Sequence, residues 1–375
     1  MSSTLLASSA EVLVGGKYRL LDVIGSGGVG TVYRAMHVWT EREVAVKVLD
    51  RDLAHLSELR EAFLREARAA VRLRHPNVVD VLDMGEDQGD TTYIVMELLS
   101  GPTLRDVLHK RGTLSPNETV AVLAPLLDAL ENAHQLGIVH RDFKPENIIL
   151  QVDMEGLLVP TLLDFGIAQT IWESQPTTDD EDEVLVGTPQ YMSPEQALNR
   201  RVLIGPQSDV WGVGVVWYEC VTGRCPFDGE THADVLRAVC ESPLELAEVP
   251  DAHRGLLEGM LRRSVSERTQ NLSIVRAQMA RAGINTDICA TSELLQSRPT
   301  RRSERIHATL HGVGPHAMQS LSLSVPDVPD LPYAPALEAS EPEELPQSSS
   351  RFVPLAGAAL VAVIALAALW VAWGP

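Results

Sequence analysis

Two short acid-bearing stretches constrain this chain more than anything else in it. His140-Arg141-Asp142-Phe143-Lys144-Pro145-Glu146-Asn147 gathers acids, two bases, a histidine and an amide into one segment, and the apolar run Ile148-Ile149-Leu150 follows at once. Leu162-Leu163-Asp164-Phe165-Gly166 is a second apolar run, ending in an acid, an aromatic and a glycine. Two acidic loops, each at one end of an apolar strand, point to a site for phosphate and metal. The remaining residues must supply a nucleotide to that site or explain it away.

The bulk properties narrow the classes. At 375 residues the chain exceeds what one compact domain usually needs. A formal net charge of −20 argues against nucleic acid, whose partners present a basic face. The four cysteines, Cys220, Cys225, Cys240 and Cys289, form no CxxC pair and have no histidine cluster near them, so neither zinc nor a disulfide framework is expected. Met1 to Val14 lacks the basic start and apolar core of a signal peptide. Residues 352–373 carry no charge, and roughly 20 such residues make a helix about 30 Å long, enough to cross the hydrocarbon core. Trp370 and Trp373 lie near its far end, where aromatic rings favour the interface. With only Gly374 and Pro375 after it, the expectation is a tail anchor. Ala358, Ala362 and Ala365 would permit a close helix contact and a homodimer.

The chain in order reads as an α+β pattern. Tyr18 to Leu21 leads into Gly25-Ser26-Gly27-Gly28-Val29-Gly30, and Thr31 to Ala35 resumes an extended pattern. A dinucleotide loop would need a helix directly after the glycines. Here β-branched and aromatic residues follow, so the reading is a glycine-rich hairpin, either phosphate-binding or simply flexible. In Glu43 to Leu49, Ala45, Lys47 and Leu49 share one face and Val44, Val46 and Val48 the other. Both faces look buried, so Lys47 calls for an anion, unless it snorkels to solvent. Ser57 to Leu73 reads as a helix with Phe63, Ala67, Ala70 and Val71 on its apolar stripe. Glu66 lies at the stripe's edge, either as partner of Lys47 or as a surface charge among arginines. Val78–Leu82 and Tyr93–Leu98 read as strands around a polar turn. Leu99-Ser100-Gly101-Pro102 is a break, after which Leu104–His109, Glu118–Leu136 and Asp209–Cys220 read as helices. Trp211, Trp217 and Tyr218 read as core. Helices continue to about residue 283. Residues 284–351, rich in Ser, Thr, Arg, Glu and later Pro, read as a disordered linker.

The ordered set of motifs resembles the eukaryotic-like serine/threonine protein kinases of bacteria, over residues 18–283. The motifs are Gly25, Gly27 and Gly30; Val44-Ala45-Val46-Lys47; Glu66; His140 to Asn147; Asp164-Phe165-Gly166; and Gly187-Thr188-Pro189-Gln190-Tyr191-Met192-Ser193-Pro194-Glu195. The resemblance implies a bilobal fold, with a sheet-rich lobe at 18–97 and a helical lobe at 98–283. Residues 1–17 would be an N-terminal extension. It implies transfer of the ATP γ-phosphate to Ser or Thr hydroxyls of proteins, rather than a non-catalytic scaffold or a small-molecule kinase. Lys47 would contact the phosphates, held by Glu66. Ile24, Val32 and Ala45 would pack on the adenine, with Met96 as gatekeeper and backbone groups of Glu97 and Leu99 on its edge. Asn147 and Asp164 would ligate Mg²⁺ (or Mn²⁺) through oxygen. Asp142 would accept the hydroxyl proton and Lys144 would meet the γ-phosphate.

Arg141 would bind a phosphate on the activation segment, with Thr177 and Thr178 as candidate sites beside the run Asp179-Asp180-Glu181-Asp182-Glu183. Thr188 would be structural. Glu195 would pair with Arg268, although the segment before that arginine, Arg263-Ser264-Val265-Ser266-Glu267, lacks the expected Asp-Pro, and Asp209 would brace the catalytic loop. Phe143 stands where leucine is common, and residues 151–160 would form an extended hairpin. The localisation implied is the inner membrane, with the kinase domain cytoplasmic.

Overall fold

The computed structural model describes residues 12–27, 30–50, 57–87, 91–164, 188–285 and 293–296, all within one compact unit. The side chains of Glu58, Glu66, Glu293 and Gln296 lie outside that description. So do Phe165, Gly166, Thr177, Thr178, the acidic run, most of the linker and the apolar stretch 352–373. Among the described residues no helix is long and apolar enough to cross a membrane.

Alternation of small and β-branched residues builds an antiparallel six-stranded sheet. Its strands are β1 (Leu13–Val14), β2 (Tyr18–Gly27), β3 (Gly30–His37), β4 (Glu43–Leu49), β5 (Val81–Asp87) and β6 (Thr91–Glu97), in the order β1-β2-β3-β4-β6-β5. The extension before residue 18 therefore contributes a strand: Leu13 pairs with Arg19 and Val14 with Tyr18. Each face of β4 has its own small core, as the alternation requires. Ala45 and Leu49 join Phe63, Ala67, Ile94 and Met96 on one side. Val44 and Val46 join Val14, Tyr18, Ala35, Tyr93 and Val95 on the other. Helix α1 (Ser57–Arg72) supplies Phe63 and Ala67 from its expected stripe, whereas Val71, expected on the same stripe, is 43% exposed.

One strand is shifted. The expectation of a strand over 78–82 is corrected: β5 starts at Val81, while Val78 and Val79 are buried and pair with Leu162 instead. Val79 N donates to Leu162 O, and Val78 bridges Leu162. These two apolar residues link the sheet to Leu162, whereas the more polar residues after them run along the sheet's edge.

The rest of the described chain is helical apart from one hairpin. Its elements are α2 (Leu104–Arg111), α3 (Pro116–Gln135), β7 (Ile148–Val152), β8 (Leu158–Leu162), α4 (Pro194–Ala197), α5 (Pro206–Thr222), α6 (His232–Glu241), α7 (Asp251–Met260), α8 (Leu272–Arg281) and α9 (Glu293–Gln296). Local signals set several starts. Thr103 and Ser115 cap α2 and α3 in capping boxes with Asp106 and Glu118, and Pro116 occupies the first helical position. α5 is buried almost all round, with Trp211, Trp217 and Tyr218 fully covered. That matches its near-continuous apolar sequence. It ends at Gly223 in the left-handed region, where a Cβ would stand 2.7 Å from the Gly112 carbonyl oxygen. The composition break at 284 does not end the packed region, since Leu294 of α9 is buried in the helical core and its carbonyl accepts from Arg111.

Candidate active site

The hairpin β7–β8 brings the two acidic stretches together. Ile148 lies opposite Leu162, and Leu163 N donates to Asn147 O at 2.8 Å, so Asn147 and Asp164 emerge at the same end. Pro145–Asn147 forms one tight turn before β7. The turn lets Asn147 Nδ2 reach back to Asp142, donating to its carbonyl at 2.9 Å and its Oδ2 at 3.0 Å. Lys144 Nζ lies 2.9 Å from Asp142 Oδ1 and 2.7 Å from Oδ2. Asp142, Lys144 and Asn147 thus form one charge-assisted group.

Beneath the loop the backbone is pinned by a single buried carboxylate. Asp209 on α5 accepts from His140 N at 2.8 Å and Arg141 N at 2.7 Å, and from His134 Nε2 at 2.6 Å. Arg141 sits at φ 66°, a conformation costly for a side-chain-bearing residue and sustained only when its surroundings determine it. Asp209 and Gln196, whose Nε2 donates to Arg141 O at 2.8 Å, do so here. His140 is fully buried, stacks edge-on against Phe143, and accepts from Asp142 N on Nδ1. Burial lowers its pKa, which keeps the ring neutral and Nδ1 an acceptor.

Glu195 and Arg268 pair despite the altered residues before the arginine. Nη1 meets Oε1 at 2.7 Å and Nη2 meets Oε2 at 2.9 Å, with both side chains covered. The remaining three guanidinium hydrogens go to the carbonyls of Arg262, Gln207 and Arg263, so all five donors are used. Ser208 Oγ donates to Glu195 as well. Burial would raise the Glu195 pKa, but Arg268 and Ser208 outweigh it and hold the carboxyl below its ordinary value. Thr188 leads directly into the turn Pro189–Tyr191.

The sheet side is set by register. Gly25, Val32, Lys47 and Ile94 lie opposite one another across β2, β3, β4 and β6, and Ala45 lies opposite Met96. Val32, Ala45, Met96 and Leu99 belong to one apolar cluster, while Ile24 is 51% exposed. Glu97 donates from its backbone N–H to Asp80 O. Lys47 Nζ lies 2.8 Å from Asp164 Oδ2, which joins the sheet to the second acidic stretch. The expected partner Glu66 has its side chain outside the described residues.

The three loop glycines differ. β2 and β3 form a hairpin, so the dinucleotide alternative is excluded. A Cβ on Gly27 would meet nothing within 4 Å, and one on Gly25 would make only ordinary contact with Val32. A Cβ on Gly30 would stand 2.2 Å from Val48 O, so strand packing alone demands that glycine.

Sequence reasoning missed one group beside the site: Arg105, Glu146, Tyr191 and Glu219, joined by hydrogen bonds across four separate segments. No local spacing could have found it, because its members are 41 to 114 residues from Arg105.

A family model described as protein kinase domain matches residues 18–279, more than half of the chain. The serine/threonine-protein kinase PrkC of Bacillus subtilis is 40% identical over 241 residues, covering 64% of this chain and 35% of the relative. The serine/threonine-protein kinase PknB of Mycobacterium leprae is 37% identical over 270 residues, covering 70% and 42%. The serine/threonine-protein kinase PksC of Streptomyces coelicolor is 37% identical over 285 residues, covering 73% and 50%. The match thus spans half or less of these relatives' own length.

Proposed function

Because the chain belongs to the protein kinase domain family, we propose that it transfers the γ-phosphate of ATP to serine or threonine hydroxyls of proteins. One observation carries the reading. The β7–β8 hairpin and its preceding turn assemble Asp142, Lys144, Asn147 and Asp164 at one end, and Lys47 reaches the last of them.

The donor set suits ATP with a hard divalent cation. Asn147 Nδ2 is committed to Asp142, which leaves the amide oxygen for a cation, and Asp164 supplies a carboxylate. Bound there, Mg²⁺ or Mn²⁺ would supply charge neutralisation on the phosphates. Lys47 holds positive charge on the same side. The apolar cluster of Val32, Ala45, Met96 and Leu99 offers a surface for adenine, and the half-exposed Ile24 on β2 would add to it. The Glu97 N–H is already bonded to Asp80, so its carbonyl is the group offered to the adenine edge.

Asp142, held by Lys144 and Asn147, orients the incoming hydroxyl and accepts its proton on a carboxylate oxygen. The bond between the γ-phosphorus and the β,γ-bridging oxygen breaks as the hydroxyl oxygen bonds to that phosphorus, leaving ADP. Lys144, two residues on, balances charge on the transferring group. Protein acceptors are supported by the segment Thr188–Glu195, which lies against the catalytic loop through Gln196 and Arg141.

The test is incubation with γ-labelled ATP, Mg²⁺ and myelin basic protein, followed by acid hydrolysis. Label is expected in phosphoserine or phosphothreonine and abolished by EDTA. Absence of label from both the chain and the acceptor would overturn the reading.

Three further elements are proposed on the sequence. Residues 352–373 form a single membrane-crossing helix, with the kinase domain on the cytoplasmic side of the inner membrane. Removing them should release the protein from pelleted membranes. The alanine stripe 358, 362 and 365 favours a homodimer there. Autophosphorylation at Thr177 or Thr178 controls activity through Arg141, and replacing both by alanine should reduce transfer.

A further inference from the structure

Arg105 lies in the first turn of α2, and its guanidinium reaches three other segments. Nε donates to Glu146 Oε1 at 2.7 Å. Nη1 donates to Glu219 Oε1 of α5 at 2.6 Å. Nη2 donates to the Tyr191 hydroxyl and, at 3.4 Å, to Glu219 Oε2. The Tyr191 hydroxyl in turn donates to Glu219 Oε2 at 2.6 Å. The Arg105 side chain is 19% exposed and that of Glu219 9%, so this part of the group is withdrawn from water, whereas the Glu146 side chain at its other end is 41% exposed.

Such a group is a poor device for stability. Burying charges costs several kcal/mol each, and a well-packed apolar replacement is often as stable. What it provides is geometry. A planar guanidinium holds its partners in one fixed fork, which a lysine cannot reproduce. The partners here are informative. Glu146 lies between Lys144 and Asn147, in the very turn that positions both against Asp142. Tyr191 lies in the segment that leads, through Gln196, back onto the catalytic loop at Arg141. The sheet side of the site is fixed separately, by strand register and by Lys47 with Asp164.

We propose that Arg105 is a positioning residue that locks the protein-substrate side of the site, at Tyr191, to the catalytic loop, at Glu146. The acceptor hydroxyl is thereby delivered in register with Asp142, without Arg105 touching either substrate. This rests on the reading of the chain as a protein kinase.

The signature is a split between the two substrates. In the full chain, Arg105→Met should lower kcat/KM for myelin basic protein about 10- to 100-fold, the scale of a 1 Å misplacement. The KM for ATP should stay within about twofold of wild type, since its contacts are made elsewhere. Arg105→Lys should fail to restore acceptor use, and adding Tyr191→Phe to Arg105→Met should cause little further loss, because the two act through one group.

Unchanged acceptor kinetics in folded Arg105→Met, or equal losses for ATP and acceptor with additive effects of Tyr191→Phe, would overturn the proposal. Should Arg105→Met fail to fold, Tyr191→Phe decides: a raised acceptor KM with unchanged ATP KM supports the lock, and unaltered acceptor kinetics overturn it. A wild-type protein that transfers no phosphate would instead defeat the functional reading itself.

Discussion

The two sides of the site are built to different degrees of fixity. On the helical side a buried carboxylate, Asp209, holds two successive backbone amides, and Arg268 spends all five donors on Glu195 and three carbonyls. On the sheet side Ile24 is half exposed and Gly27 faces open space, while only the strand register beneath them is tightly packed. Transfer chemistry demands fixed geometry for the hydroxyl and its acceptor group, since a small displacement is costly. A nucleotide must enter and leave, so its cover needs room. On the proposed function, the difference is therefore between a mount for the reacting groups and an adjustable cover for the nucleotide.

The largest expected effect lies in the mount. Arg268→Met leaves Glu195 as a buried, uncompensated charge and should destabilise the protein by about 3–5 kcal/mol, read by urea denaturation. A loss under about 1 kcal/mol, the value of an exposed pair, would break the contrast. The glycine-rich hairpin allows the next comparison inside one loop. Gly30→Ala drives a Cβ into Val48 O and should cost about 1–3 kcal/mol. Gly27→Ala meets open space and should stay within about 0.5 kcal/mol. Equal effects would show that the two ends of the loop do not differ as described.

A pH effect follows from the buried histidines of the helical side. His253 accepts from Trp217 Nε1 on Nδ1 at 3.0 Å, and burial lowers its pKa below the ordinary 6.5, as it does for His140. The unfolded chain then binds protons that the native state refuses. Stability should fall as pH drops below about 6.5, and level off only below the folded pKa values. Thermal melts between pH 7.5 and 5.5 should show this, with His253→Gln flattening part of the slope. The Glu195 pair acts in a separate window, because its depressed carboxyl keeps its contribution until pH falls below the ordinary 4.5. The smallest change in stability is expected at the cover: Ile24→Ala should leave the melt nearly unchanged while raising the KM for ATP.

The sequence made most of the mount legible because its chemistry is concentrated in short segments. Asp142, Lys144 and Asn147 fall within six residues, and β7–β8 carries Asp164 to them through plain apolar alternation. The Glu195 to Arg268 pair is present even though the residues before the arginine depart from the expected pattern, because the partners are set by burial and free carbonyls rather than by that dipeptide. Two features were hidden. Val78 and Val79 have strand-like side chains, yet they join the sheet to the hairpin, a long-range demand that local propensity cannot register. Arg105 reads as an ordinary charge on a short helix, and only the fold reveals its three partners.

The most direct test of the account is the initial rate of phosphate transfer from γ-labelled ATP to myelin basic protein by Asp142→Asn, compared with wild type at equal concentrations of folded protein. The substitution keeps the side chain's size but removes the proton acceptor and one of the two oxygens that accept from Lys144 and Asn147. The rate should fall by roughly 10²- to 10⁴-fold, with the melting temperature and the KM for ATP little changed. Transfer at the wild-type rate would contradict the assignment of Asp142 and, with it, the view that the helical side is the mount for the reacting groups.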